Sequence, residues 1–227
     1  MSEPAAAKLM DDLAAAGFLY LGGFAVEGDS TVPRLSGGKA PGALFLIGST
    51  GPSLWPHLTR SPEFRDGAPD PLDRYTKRIL SASAIDYGFE ALFPFEGPPY
   101  HPFQQWALRC GGFSRSPLGV LAHAEYGPWA GFRAAFLSAG RLIDAAPAPE
   151  KGPCESCADK PCLTVCPVEA ISLEEGYRAG DCRSHLAEHR DHDCWTGCLA
   201  RRACPFGRDH RQSAGTARFH MDRFVGP

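Results

Sequence analysis

Apolar positions open the chain at helical spacing. Leu9, Leu13 and Ala16 share one face and Gly17 stands where a helix stops, which predicts a helix from Ser2 or Glu3 to Ala16. Phe18 to Val26 is apolar and aromatic, a strand broken near Gly22 and Gly23. Ala43 to Gly48 is a continuous apolar run and reads as a buried strand leaving into a loop at Ser49, Thr50 and Gly51. Asp70 and Pro71 open a helix, the first as its cap and the second in its first turn, with Leu72, Tyr75, Ile79 and Leu80 as the buried face. Tyr87 to Phe93 follows as a strand, and His101 to Cys110 as a helix closed by Gly111 and Gly112. Val120 to Tyr126 and Ala130 to Leu137 read as two strands around a turn at Gly127 and Pro128. Helices and strands in this mixture predict an α+β fold with a sheet at its centre.

The pattern then changes. Residues 1–147 hold one cysteine, Cys110; the other eight fall between Cys154 and Cys204, where apolar periodicity fades. A Pro/Ala stretch from Ala145 to Pro149 reads as a linker or stiff turn. The expected organisation is an α/β domain over 1–147, a cysteine domain over 148–211, and a tail over 212–227 without a strong pattern.

Of the 227 residues, 44 % are hydrophobic and 22 % charged, close to a globular average, so the chain as a whole is not disordered. The net charge is −3, and the positive charge is mostly arginine. That balance gives no electrostatic case for a nucleic-acid or membrane partner. Glu3, Asp11 and Asp12 interrupt the first apolar stretch, so it does not read as a signal peptide, and the run Ala43 to Ile47 is far too short to span a bilayer. The expectation is a soluble cytoplasmic protein, where thiols stay reduced and dense cysteine points to metal rather than to disulfides.

Cys154, Cys157, Cys162 and Cys166 read C-x2-C-x4-C-x3-C, with Pro167 after the last. A cubane iron–sulfur cluster needs thiolates converging from several directions. Three come from a tight loop, and the fourth faces away toward a second cluster. Pro167 turns the chain out, and Val168, Ala170 and Ile171 supply apolar cover. Cys182, Cys194, Cys198 and Cys204, the last again followed by proline, form a wider second set. By the crossed pattern of two-cluster ferredoxins, Cys154, Cys157, Cys162 and Cys204 would hold one 4Fe–4S cluster, and Cys166, Cys182, Cys194 and Cys198 the other. Zinc is the competing reading, but its sites usually pair two C-x2-C knuckles and only one occurs here. His185, His189 and His192 read as solvated loop residues, with ligand substitution as their alternative. Lys160, Arg183, Arg201 and Arg202 could offset cluster charge or be ordinary surface residues.

The cysteine run resembles ferredoxin-type domains, and the x4 gap with Lys160 and Pro161 is similar to the electron-transfer subunits of molybdopterin oxidoreductases. The order of an α/β domain, the run through Ile171, the stretch Asp181 to Leu186 and a closing Cys-Pro resembles epoxyqueuosine reductase and the corrinoid reductive dehalogenases. The segment Ala107 to Trp129, which passes through a glycine turn, carries the same likeness. Ala43 to Thr50, Asp70 to Arg74 and Tyr126 to Arg133 resemble the cobalamin-processing (cblC-type) chaperone. Together the resemblances cover residues 17–206 and imply a nitroreductase-like scaffold cradling a corrinoid, followed by a ferredoxin-like two-cluster domain. Where epoxyqueuosine reductase carries a catalytic Asp, this chain has Gly97, Pro98 or Pro99, with Glu96 the nearest carboxylate. The general acid is missing or moved, and tRNA reduction is not expected.

His123, Tyr126, Gly127, Trp129 and Arg133 are the candidate residues for a corrinoid or flavin face; packing of the turn is the alternative for Tyr126 and Trp129. Trp106 and His101 read as helix packing and Cys110 as a buried small hydrophobe. Gly22, Gly23 and the Gly48 to Gly51 stretch complete no G-x-G-x-x-G or Walker pattern. The resulting expectation is a cobalamin-linked oxidoreductase that takes electrons from a redox donor protein through two 4Fe–4S clusters to a corrinoid or small-molecule acceptor. No catalytic residue is assigned. The alternatives are a ferredoxin-like shuttle without a corrinoid and a flavin-dependent reductase on the same scaffold.

Overall fold

A computed structural model describes residues 3–140 and 151–226. Along the chain run α1 (Glu3–Ala15), β1 (Leu19–Ala25), β2 (Ala43–Ser49), α2 (Gly51–Leu58), α3 (Pro62–Arg65), α4 (Pro71–Asp86), β3 (Glu90–Leu92), α5 (Phe103–Cys110), β4 (Phe113–Arg115), β5 (Leu121–His123), β6 (Gly131–Ser138), α6 (Ala179–Glu188), α7 (Leu199–Ala203) and α8 (Ala214–Val225). The described residues pack into two compact units. The first is drawn from Met1–Ser49, Ser53–Gly111 and Gly131–Glu150, the second from Thr50–Pro52, Gly112–Ala130 and Lys151–Pro227. The expected linker Ala145 to Pro149, and with it the 147/148 boundary, lies outside the described residues.

The first unit is built on a four-stranded antiparallel sheet ordered β1-β2-β6-β3. All seven residues of β2 are buried, which explains its unbroken apolar run: it has a paired neighbour on each side and no face left for water. Phe45 pairs with Gly23 on one side and Phe136 on the other. The break expected in β1 is a register shift between Tyr20 and Gly23. There Gly22 adopts φ +105°, and a Cβ would stand 2.9 Å from that of Cys110, so glycine lets α5 close onto the strand. Trp106 of α5 is fully buried and its indole N–H donates to Thr31 Oγ1 at 3.1 Å. Phe18, Leu44, Leu46, Ile47 and Phe136 complete this core, each worth about 1.5–3 kcal/mol relative to exposure.

Several sequence expectations need correction. Asp70 makes no side-chain capping bond; it sits at φ 52°, and its carbonyl accepts the Arg74 N–H at 3.0 Å. The start of α4 is fixed instead by Arg74, which bridges to Asp66 and donates to the carbonyls of Glu63 and Pro69. Tyr87 caps α4 and Gly88 turns the chain at φ +72°, so β3 keeps only three of the seven expected residues. α2 was hidden in the sequence by Gly51, Pro52 and Pro56, all poor interior helix formers. The two strands expected around Gly127 do not pair. β5 joins β4 in a separate two-stranded sheet, while β6 enters the large one.

The second unit combines the β4–β5 ribbon with short helices and turns. Its tail is not patternless: Ser213 caps α8 through a bond from the Thr216 N–H at 3.2 Å, and Ala217 and Phe219 are buried. Met221, Phe224 and Val225 pack against Leu186, Cys194 and Trp195. The Trp195 indole N–H donates to the carbonyls of Leu186 and His189 at 3.1 and 3.0 Å, closing the end of α6. Among the described residues no helix is long and apolar enough to cross a membrane.

Candidate metal-binding site

The second unit draws the eight clustered cysteines into two quartets. Cys154, Cys157, Cys162 and Cys204 line one small cavity together with Leu118, Ala122, Pro205 and Phe206. The loop carrying the first two is fixed from both sides. The Cys154 N–H donates to Ser114 Oγ at 3.0 Å, and the Lys160 ammonium donates to the carbonyls of Cys154 and Cys157 at 3.1 and 2.6 Å. Lys160 itself turns at φ 38° into the 3-10 turn Pro161–Leu163 that presents Cys162. Cys204 arrives at the end of α7, its N–H donating to the Arg201 carbonyl at 3.3 Å. Gly127 and Gly207 seat the loop that follows: a Cβ on the first would strike the Phe206 carbonyl, and one on the second the Tyr126 carbonyl.

Cys166, Cys182, Cys194 and Cys198 form the other quartet. A charge on Cys194 is felt from each of the other three, as a charge on Cys162 is felt from Cys204, Cys154 and Cys157. The four come from a turn, α6, the 3-10 turn Asp193–Thr196 and the cap of α7. Cys166 Sγ accepts the Ala170 N–H at 3.4 Å, and Tyr177 and Cys182 line one cavity. Leu118, Ile171 and Ala200 pack against Cys162, Cys166 and Cys198.

Burial dominates the thiol electrostatics. It pushes Cys154, Cys162, Cys182 and Cys204 up, and Cys194 up to about 11, with neighbouring sulfurs adding in the same direction. As free thiols these groups are neutral at pH 7, and a metal must displace their protons to ionise them. Among the described residues, neither quartet is a group whose donor atoms all come within 4.8 Å of one another, a spacing reached by His185, His192 and Cys194. A tetrahedral zinc with Zn–S bonds of about 2.3 Å would draw its sulfurs to roughly 3.8 Å. The expectation of solvated histidines holds for exposed His189 but not for His185, whose Nε2 is buried without a hydrogen-bond partner.

The residues expected to line a corrinoid or flavin face are arranged differently. Trp129 is 3 % exposed and lies under the Arg201 guanidinium at 4.6 Å, and Gly127 is packed on Phe206. Both act as packing groups. His123 is buried, stacks on Tyr126 at 4.8 Å, and accepts the N–H groups of Glu125 and Tyr126 through Nδ1; burial lowers its pKa. Tyr126 meets His210 edge-on. Arg133 belongs to the first unit, where its Nε donates to Ser49 Oγ at 2.8 Å. Sequence reasoning missed Ser114, whose partner Cys154 lies 40 positions away and leaves no local signal.

No family model matches the chain, and no curated protein matches it. A solved structure does: that of the C. elegans B12-trafficking protein CblC, a human MMACHC homologue. The two agree with a TM-score of 0.56 over 97 % of this chain and 92 % of that one, at 14 % identity. The likeness is one of fold, a mixed α/β arrangement with an antiparallel sheet.

Proposed function

We propose that this chain is an iron–sulfur redox protein with one 4Fe–4S cluster on each cysteine quartet, passing electrons to a corrinoid. One observation carries the reading. Cys204 joins the sulfurs of the first cysteine run, while Cys166, the last of that run, turns to the other quartet. That exchange is the ligand logic of two-cluster ferredoxins and serves no purpose in a zinc knuckle. The apolar first cavity also suits a cubane. Such clusters supply one-electron chemistry. The chain's own residues half-bury the thiolates, and Ala170 directs its N–H at the Cys166 sulfur of the second quartet. The corrinoid part of the proposal is supported by the fold shared with a protein described as B12-trafficking. A shuttle that binds no corrinoid is favoured by one fact, the burial of Gly127 and Trp129.

Anaerobically purified full-length protein should contain about eight irons and as many sulfides, and should bleach with dithionite. Zinc in place of iron rejects the clusters. Added cobalamin should shift to a base-off spectrum; unchanged bands at saturating protein leave the shuttle.

A further inference from the structure

Arg201 is a cation without a carboxylate. It lies on α7 between Cys198 and Cys204, one from each quartet. Its Nε and Nη2 both donate to the Pro128 carbonyl, the former at 2.8 Å, and its guanidinium covers the buried Trp129 ring. Among the described residues no acidic side chain comes within 4.0 Å of it, whereas Arg202, its neighbour, bridges to Asp193. Burial disfavours the charge strongly enough to lower its pKa to about 10, and the group that opposes this is Cys198. The same guanidinium lines a cavity of roughly 270 Å3 beside Cys182 and Cys198. A carbonyl and an aromatic face do not neutralise a half-buried guanidinium, and drawing an ion part-way out of water is costly unless an opposite charge meets it.

We infer that Arg201 is the half-buried counter-cation of the cluster on Cys166, Cys182, Cys194 and Cys198, a positioning residue that favours its reduced form. This rests on the cluster reading above. Four thiolates on a cubane leave net negative charge, and each added electron deepens it. A fixed positive group at the Cys198 edge therefore stabilises the reduced state more than the oxidised one. The first quartet has its own cation, Lys160, which lines that quartet's cavity while donating to the carbonyls of Cys154 and Cys157; Arg201 is assigned to the other cluster because it lines the cavity beside Cys182 and Cys198.

The test uses the full-length, cluster-loaded protein, with iron counted first; wild-type protein without iron sinks the cluster reading itself and is distinguishable from any failure of Arg201. Arg201→Gln keeps an N–H for the Pro128 carbonyl but removes the charge. Arg201→Lys keeps the charge. In a titration followed by electron paramagnetic resonance, R201Q should lower the reduced-to-oxidised ratio of one cluster about tenfold at fixed potential, about 59 mV for one electron. The other cluster should move far less, and R201K should hold the wild-type midpoint more closely than R201Q. If R201Q loses the irons of one cluster while R201K retains them, the charge requirement is met in stronger form. Unchanged midpoints in R201Q, or equal shifts in R201Q and R201K, overturn the inference, as does loss of iron from both variants alike.

Discussion

The hydroxyl of Ser114 accepts the backbone N–H of Cys154 at 3.0 Å across a sequence separation of 40 residues. Ser114 is buried, so its removal strands a buried donor at the mouth of the first quartet. Ser114→Ala should cost about 1–2 kcal/mol. Iron release to a chelator, followed by absorbance, should speed up, and the irons lost first should be those of one cluster.

Cys204 and Cys110 are both buried, yet they should behave oppositely. Cys204→Ser should remove about half the iron, since it breaks one quartet of two. Cys110 sits against Gly22 in the first unit, where burial pushes its thiol up to about 12. Cys110→Ala should leave iron content unchanged and lower stability by about 1 kcal/mol. Metal analysis and thermal melts separate the two.

Gly207 turns at φ +64° with its Cα facing the Tyr126 carbonyl. Gly207→Ala adds both a left-handed-backbone penalty and a clash with main chain that cannot rotate away. The loss should exceed about 2 kcal/mol. In contrast, Gly176→Ala, also at positive φ but in open space, should cost only the backbone penalty of about 1 kcal/mol. Denaturant melts of the two variants should differ accordingly.

The Glu63 carboxylate accepts from Arg78, which holds its pKa down to about 2. The folded value lies below the unfolded one, so the pair's contribution is complete above about pH 5. It is lost as pH falls through the unfolded carboxylate value toward 2. Arg78 is half exposed, which limits the contribution to about 1 kcal/mol. Glu63→Gln should lower stability at pH 7 by that amount, and the difference from wild type should vanish near pH 2.

Much of this molecule is written locally. The β2 run, the helix ending at Gly17 and the break at Gly22 can all be read from neighbouring residues, because burial on both faces and positive φ leave compositional traces. The grouping of the eight cysteines proposed as cluster ligands was reached from spacing and the logic of cluster ligation. The errors fall where partners are distant. β5 takes β4 rather than β6, a choice made by sheet register, which no single segment carries. Trp129 takes the packing role that the turn also offered, because Arg201, 72 positions later, covers the ring. α8 escaped notice although Ala217, Met221, Phe224 and Val225 stand at helical spacing, because the short apolar face lies in a segment otherwise rich in polar and charged residues.

The polypeptide joins the second unit briefly at residues 50–52, enters it again at 112–130, returns to the first for β6, and comes back after residue 150. Neither unit is therefore a contiguous gene fragment. A truncation that begins at Lys151 would keep all eight clustered thiols but discard Ser114, Leu118 and Pro128, the far wall of their enclosure. Grafting these thiols into another host would require two splices, and during synthesis the ribbon must wait for sequence that has not yet emerged.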